Sequence, residues 1–200
     1  MKTTATALSV ALILVAGCHD HDDNAGPVVV APSSVVVVDN ADAIVWETSF
    51  FWTASAAIDP TTAVDVNAIA ASYAKTVAST FEPFGCATAS LSATNVVELR
   101  LDNCSGPFGV RGAVGTVVIA LGVDQSAVGL TVIANGLAVA GGVLMINASA
   151  VLTGIGNTRT LAIQTNSGGV EPNGDSLARL GRYTVGWTSG DTCVTIDGML

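Results

Sequence analysis

From Gly85 onward, apolar and polar residues alternate with a period of two. Ala89, Leu91 and Ala93 alternate with Ser90 and Ser92, and Val97, Leu99 and Leu101 alternate with Glu98, Arg100 and Asp102. Leu144, Ile146, Ala148, Ala150 and Leu152 share one face in the same way, as do Tyr183, Val185 and Trp187. Successive side chains of a strand point to opposite faces, so this rhythm predicts half-buried antiparallel strands. Turns are predicted where Gly, Pro, Asn, Asp and Ser gather: Thr94-Asn95, Ser105-Gly106-Pro107, Asp124-Gln125, Gly141-Gly142, Gly156-Asn157, Pro172-Asn173-Gly174 and Ser189-Gly190-Asp191.

Before Gly85 the pattern from Asp39 to Phe81 is helical, in two pieces. The first, about Ala41 to Ala57, sets Trp46, Phe50 and Ala54 one helical turn apart, although its β-branched and aromatic run also suits a strand. In the second, Thr62 and Asp65 match a capping box with Asp in place of Glu. Val66, Ile69, Tyr73, Val77 and Phe81 then form one apolar stripe, which Pro83 and Gly85 end. Pro27 to Val38 is Val-rich around Pro32, which predicts an edge or irregular extended segment. The expected fold is α+β, with two N-terminal helices packed on a curved antiparallel β-meander sheet. Residues 39–84 and 85–200 then form one domain.

Nothing between Asp124 and Arg159 is charged, and Val128 to Ile146 is long and apolar enough to span a bilayer as a helix. Asn135, Gly136, Gly141 and Gly142 within it, its β-branched residues and its continuation into a strand-period segment favour strands instead. A membrane β-barrel would need two aromatic girdles, and beyond Phe108 only Tyr183 and Trp187 are aromatic. Gly106, Gly109, Gly112 and Gly115 recur too briefly for a collagen helix and read as turn and bend positions.

Composition narrows the class. Of 200 residues, 50% are hydrophobic and 12% charged, ample for the core of one domain and too apolar for a disordered chain. With 7 basic against 16 acidic side chains the net charge is −9, and the arginines are dispersed, which excludes a nucleic-acid binder acting through a basic surface.

The N-terminus explains part of the apolar excess. Met1-Lys2 is followed by a mostly apolar, uncharged stretch from Ala5 to Ala16 and then by Val15-Ala16-Gly17-Cys18, an n-region and short h-region ending at a cysteine. This resembles the lipobox signal of bacterial lipoproteins. The resemblance implies that residues 1–17 are a signal peptide removed after Gly17, and that Cys18 carries a diacylglycerol thioether and an acylated amino group. Several acyl chains on one residue anchor lastingly, since each buried methylene adds about 0.8 kcal/mol. In such lipoproteins an Asp after the cysteine favours inner-membrane retention in some bacteria. Here His19 follows, so the cell outer membrane is the expected location. Residues 18–38 become the lipidated cysteine and a tether. His19, Asp20, His21, Asp22 and Asp23 could grip a divalent metal, but nothing nearby would orient them, and they read as a solvated linker.

With Cys18 lipidated, Cys86, Cys104 and Cys193 remain in an oxidising compartment. A hairpin turning on Asn95 places Leu91 opposite Leu99, Ala89 opposite Leu101 and Ala93 opposite Val97, and the same register places Cys86 opposite Cys104. A Cys86–Cys104 disulfide is therefore expected on the polar face of that hairpin, with Cys193 left over. The segments Asn103 to Gly109 and Thr192 to Gly198, with the Gly-Cys of the signal, are similar to a group of uncharacterised bacterial lipoproteins. Those combine a helical N-terminal part with a Gly/Val/Thr-rich β region, and the resemblance implies no activity.

Catalytic chemistry is sparse. The only histidines are His19 and His21, so the domain offers no imidazole for a Ser-His-Asp or Cys-His arrangement or for a zinc site. Ser72 and Lys75 match the S-x-x-K spacing of penicillin-binding proteins, but the partner motifs Ser-Asp-Asn and Lys-Thr-Gly are absent and Lys75 reads as a solvent-face lysine. Asp102, Asp124, Glu171, Asp175, Asp191 and Asp197 lie at strand ends or turns, where carboxylates commonly bond the backbone. There is no P-loop, no C-x-x-C and no calcium loop. The expected function is a lipid-anchored, non-catalytic envelope module without cofactor or metal. It would meet the membrane through its anchor and a protein partner through its sheet edges. The alternative is a carrier holding an acyl chain in a cleft lined by Leu144, Ile146 and Trp187.

Overall fold

The computed structural model describes residues 36–56, 58–60, 65–109, 111–124, 127–139, 141–190 and 194–199, with backbone alone at 36–42, 124 and 199. Cys18 and residues 19–35 of the tether, Thr62, Gln125, Asp191 and Cys193 lie outside the described residues. Two helices, α1 (Val36–Ser55) and α2 (Val66–Thr76), precede eight strands. The strands are β1 (Ala87–Ala93), β2 (Val96–Cys104), β3 (Ala113–Asp124), β4 (Ala127–Val139), β5 (Gly142–Ile155), β6 (Thr158–Val170), β7 (Ser176–Thr188) and β8 (Thr195–Met199). They form one antiparallel sheet in chain order, an open meander. The α+β class, the helices N-terminal to the strands and the predicted turns at Thr94-Asn95, Ser105-Gly106-Pro107, Gly141-Gly142, Gly156-Asn157, Pro172-Asn173-Gly174 and Ser189-Gly190 are as expected, and Val128 to Ile146 belongs to the β4–β5 hairpin. Among the described residues no helix is long and apolar enough to cross a membrane.

Period-two alternation decides which face of the sheet is dry. Along β5, every second residue from Gly142 to Leu152 is buried and its neighbours are exposed. Cross-strand register gathers the buried positions into rows: Val128, Leu152, Leu161 and Val185 in one, Leu130, Ala150, Ile163 and Tyr183 in the next. The following row, Val132, Ala148, Thr165 and Gly181, is built of smaller side chains. These rows bury against the helices. From Ala43 on, α1 is largely enclosed: Ala43, Ile44, Trp46, Phe50, Phe51 and Ala54 are buried, and so are Glu47, Thr48, Ser49 and Ser55, while Val45, Trp52 and Thr53 along one face are half-buried. A helix buried over most of its circumference is a core element. α2 covers β1, β2 and β3, burying Ala70 and Tyr73.

The helix boundaries depart from expectation in two places. α1 starts at Val36, so Val36 to Val38 are helical rather than extended. Their β-propensity is weak against the tertiary packing that stabilises the rest of the helix. At α2 the N-cap is Asp65 itself, whose carboxylate accepts from the backbone N–H of Asn67 at 3.0 Å and of Ala68 at 3.1 Å. Asp65 is thus the capping residue and not the third helical position of a box begun at Thr62.

The first hairpin also differs in register. Ala89 faces Leu99 and Leu91 faces Val97, a slip of two residues that leaves the paired residues from Ala87 to Leu91 and from Val97 to Leu101 on their expected faces. In this register Asp102, not Cys104, lies across from Cys86, and its N–H donates to the Cys86 carbonyl at 2.9 Å. A bulge restores the pairing. Asn103 takes a positive φ of 55°, Asp102 and Asn103 both face solvent, and Cys104 turns inward and is fully buried. The Cys86–Cys104 disulfide is formed, with Cα atoms 5.4 Å apart, but toward the core rather than on the polar face. It closes a short loop, so replacing both cysteines by alanine is expected to lower stability by about 3 kcal/mol in urea unfolding.

Candidate functional site

Among the described residues the densest chemistry is a cluster around Glu47, which the hydrophobic pattern did not single out. Glu47, in the middle of α1, is fully buried. Its Oε2 accepts from Thr165 Oγ1 at 2.9 Å, Ser167 Oγ at 2.8 Å and an Arg179 guanidinium NH2 group at 2.5 Å, and its Oε1 accepts from the Tyr183 hydroxyl at 2.8 Å. Thr165, Ser167, Arg179 and Tyr183 occupy inward positions of β6 and β7. Thr48 donates to the Tyr183 oxygen at 3.4 Å, and Ser167 Oγ also accepts the backbone N–H of Asn147 at 3.2 Å. Arg179 Nε and its NH1 group are buried with no partner among the described residues. Burial, then the nearby Glu47 charge, raises the Tyr183 phenol well above its usual range, and burial raises that of Tyr73.

Signals for this cluster were present in the chain. Glu47 lies between Ile44-Val45-Trp46 and Phe50-Phe51-Trp52, and Arg179 shares the apolar phase of Leu177, Tyr183, Val185 and Trp187. A carboxylate in an apolar helix and a guanidinium in the apolar phase of a strand each call for a partner, because a lone buried charge is too costly to keep.

The far end of α1 is tied down separately. Arg159, buried at the start of β6, donates to the carbonyls of Gly156 at 2.6 Å and Thr158 at 3.2 Å and pairs with Asp59 at 3.4 Å. Thr53 and the Tyr73 hydroxyl, 3.1 Å apart, join α1 to α2. The cluster has the groups for acid–base chemistry, but they are spent on one another and enclosed. Arranged this way they hold α1 in register.

The other candidates separate. Ser72 and Lys75 are exposed on α2, away from any acid or base cluster. Asp175 serves its own turn, its N–H bonded to Asn173 and its carboxylate accepting from the Asn173 amide. Asp102 and Asp197 are exposed on different strands. Arg179 and Arg182, the nearest arginines in sequence, face opposite sides of β7. Among the described residues no group of three or more His, Cys, Asp or Glu is placed to hold a metal. Leu144, Ile146 and Trp187, the lining expected of a carrier, are buried, and Ala43 of α1 lies against the first two.

The outer face of the sheet is of two kinds. At the end marked by the β4–β5 and β6–β7 turns it is apolar, with Val114, Val143, Met145 and Val170 exposed. Farther along, Thr131, Ser149, Gln164 and Arg182 form a polar row across β4 to β7. No protein-family model, curated protein or solved structure matches this chain.

Two outcomes follow from the cluster. Glu47→Ala strands a buried guanidinium and is expected to cost about 3–5 kcal/mol, whereas the E47L/R179M double variant, which removes both charges, should cost far less in the same urea titration. Alkaline pH should also destabilise the fold. The unfolded chain releases its tyrosine protons near pH 10, while folded Tyr73 and Tyr183 keep theirs to higher pH. Stability is then complete below about pH 10 and falls as the pH rises past it. Urea midpoints from pH 8 to 11 should show that decline, reduced in Tyr183→Phe.

Proposed function

We propose that this chain is a lipid-anchored, non-catalytic lipoprotein of the bacterial cell envelope, held at the outer membrane through Cys18 and serving as an interaction module. One end of the sheet carries this reading. Ala43 sits beside Leu144, Leu177 and Arg179, so α1, and with it the chain leading back to Cys18, joins the fold at the end bearing the β4–β5 and β6–β7 turns. The exposed apolar residues Val114, Val143, Met145 and Val170 lie at that same end.

An anchored module needs one end that tolerates the bilayer and another surface that meets a partner. β8 pairs only with Arg182 to Gly186 of β7. On that side the backbone of Ser176 to Gly181 has no strand beside it among the described residues, and Leu180 beside it is 78% exposed. Unpaired N–H and C=O groups next to an exposed leucine suit strand addition by another polypeptide. A non-catalytic role is supported by the enclosure of the one acid–base cluster described above.

The anchor is tested by expressing the full chain in a Gram-negative host, partitioning membranes with detergent and weighing the N-terminal peptide. The expected peptide begins at Cys18 with a diacylglyceryl and an amide-linked acyl group, and Cys18→Ser should stay unprocessed or leave the lipid-modified pool. A Cys18 free of lipid in a membrane-free fraction would overturn the proposal.

A further inference from the structure

Sheet twist gives the outer surface of the later strands a trough. A groove of about 450 Å³ is lined by Thr131, Asn147, Ser149, Gln164, Asn166 and Arg182 among others. A second, of about 550 Å³, shares Ser149, Gln164 and Arg182 with the first and continues to Thr184 and Asp197. Both volumes fall in the range of small-ligand sites. Register orders the lining: Thr131, Ser149, Gln164 and Arg182 stand side by side on four adjacent strands. At the usual strand spacing they span about 14 Å.

These side chains are uncommitted. Where the hydroxyls and guanidinium around Glu47 bond one another, the side chains of Thr131, Asn147, Ser149, Gln164, Asn166 and Arg182 make no hydrogen bond to the described residues. The geometry points to a binding groove for a short oligosaccharide that carries an isolated carboxylate.

Each part of that assignment has a chemical reason. Hydroxyls and carboxamides both donate and accept, which matches a ligand with polar atoms along its whole periphery. The groove lies on the face of the sheet, where the strands' N–H and C=O groups are used by their neighbours, so an extended peptide cannot join here as a strand. Apolar contact comes from Leu180 beside the first groove and from Val151, Ala162 and parts of Ala150, Ile163 and Tyr183 in the second, interleaved with the polar row, an alternation that suits sugar rings, whose C–H faces alternate with their hydroxyls. Arg182 has no ion pair among the described residues, and its planar fork suits a carboxylate bound through two parallel bonds. A net charge of −9 repels a densely charged polymer, so carboxylates set apart by neutral rings fit better than one on every ring.

This inference does not depend on the anchor, since binding is read on the full chain in detergent whether or not Cys18 is acylated. Calorimetric titration would compare a hyaluronan hexasaccharide, with a carboxylate on alternate rings, against chitohexaose, with none, and hexagalacturonate, with one on each. Hyaluronan is expected to bind about tenfold more tightly than the other two, and Arg182→Gln to bring it down to the chitohexaose level. The Q164A/N166A variant should weaken hyaluronan and chitohexaose alike, by about fivefold or more. All of these side chains lie on the outer surface, and an unchanged urea midpoint would show each variant folded. Absence of binding to all three, binding indifferent to these substitutions, or preference for hexagalacturonate would each overturn the assignment.

Discussion

The placement of one carboxylate governs the interior. Glu47 has no route to water, and a charge held in a medium of low dielectric must be met by donors on every side. Those donors come from two adjacent strands, Thr165 and Ser167 on β6 and Arg179 and Tyr183 on β7. Sliding α1 by a turn, or rotating it by one residue, would leave Glu47 against apolar side chains and Arg179 without its anion. Apolar packing by Trp46, Phe50 and Phe51 supplies attraction but is tolerant of register, because it is non-directional. The ion pair supplies direction at some cost in stability, as the two groups of Arg179 without a partner among the described residues indicate.

Once α1 is held there, the remaining architecture is constrained. The inner face of β4 to β7 is covered, Arg159 ties the segment after the helix to the β5–β6 turn, and Tyr73 ties α1 to α2. Two aromatic contacts extend the same lock: Phe50 against Phe81 at 6.4 Å, and Trp52 edge-on to Phe108 at 5.3 Å. A closed interior sends recognition to the outside, where the uncommitted polar row, the exposed apolar end and the half-covered edge of β7 lie. Strand alternation makes these two worlds neighbours, since Gln164 and Asn166 outside alternate with Thr165 and Ser167 inside.

Much of the fold was legible because it rests on local periodicity. Alternation identified the strands, turn residues marked where they reverse, and the Val66 to Phe81 stripe marked the second helix. Even the disulfide partners were identifiable, though the route to them was not. A slip of two residues leaves the faces unchanged, so alternation cannot distinguish Leu91 opposite Leu99 from Leu91 opposite Val97. The Asn103 bulge that turns Cys104 inward is a backbone choice that leaves no mark on the hydrophobic pattern.

By itself, then, the sequence determined the elements, their order, the dry face of each strand and the resemblance of its first residues to a lipoprotein signal. These follow from side-chain spacing along one segment at a time. The tertiary structure alone decided that Glu47 would meet Arg179, 132 residues later in the chain, that Asp65 rather than Thr62 would cap α2, and that Arg182 would be left facing outward without a partner among the described residues. Each depends on where one segment comes to rest against another. Burial makes that choice by penalising every placement in which a buried charge goes unmet.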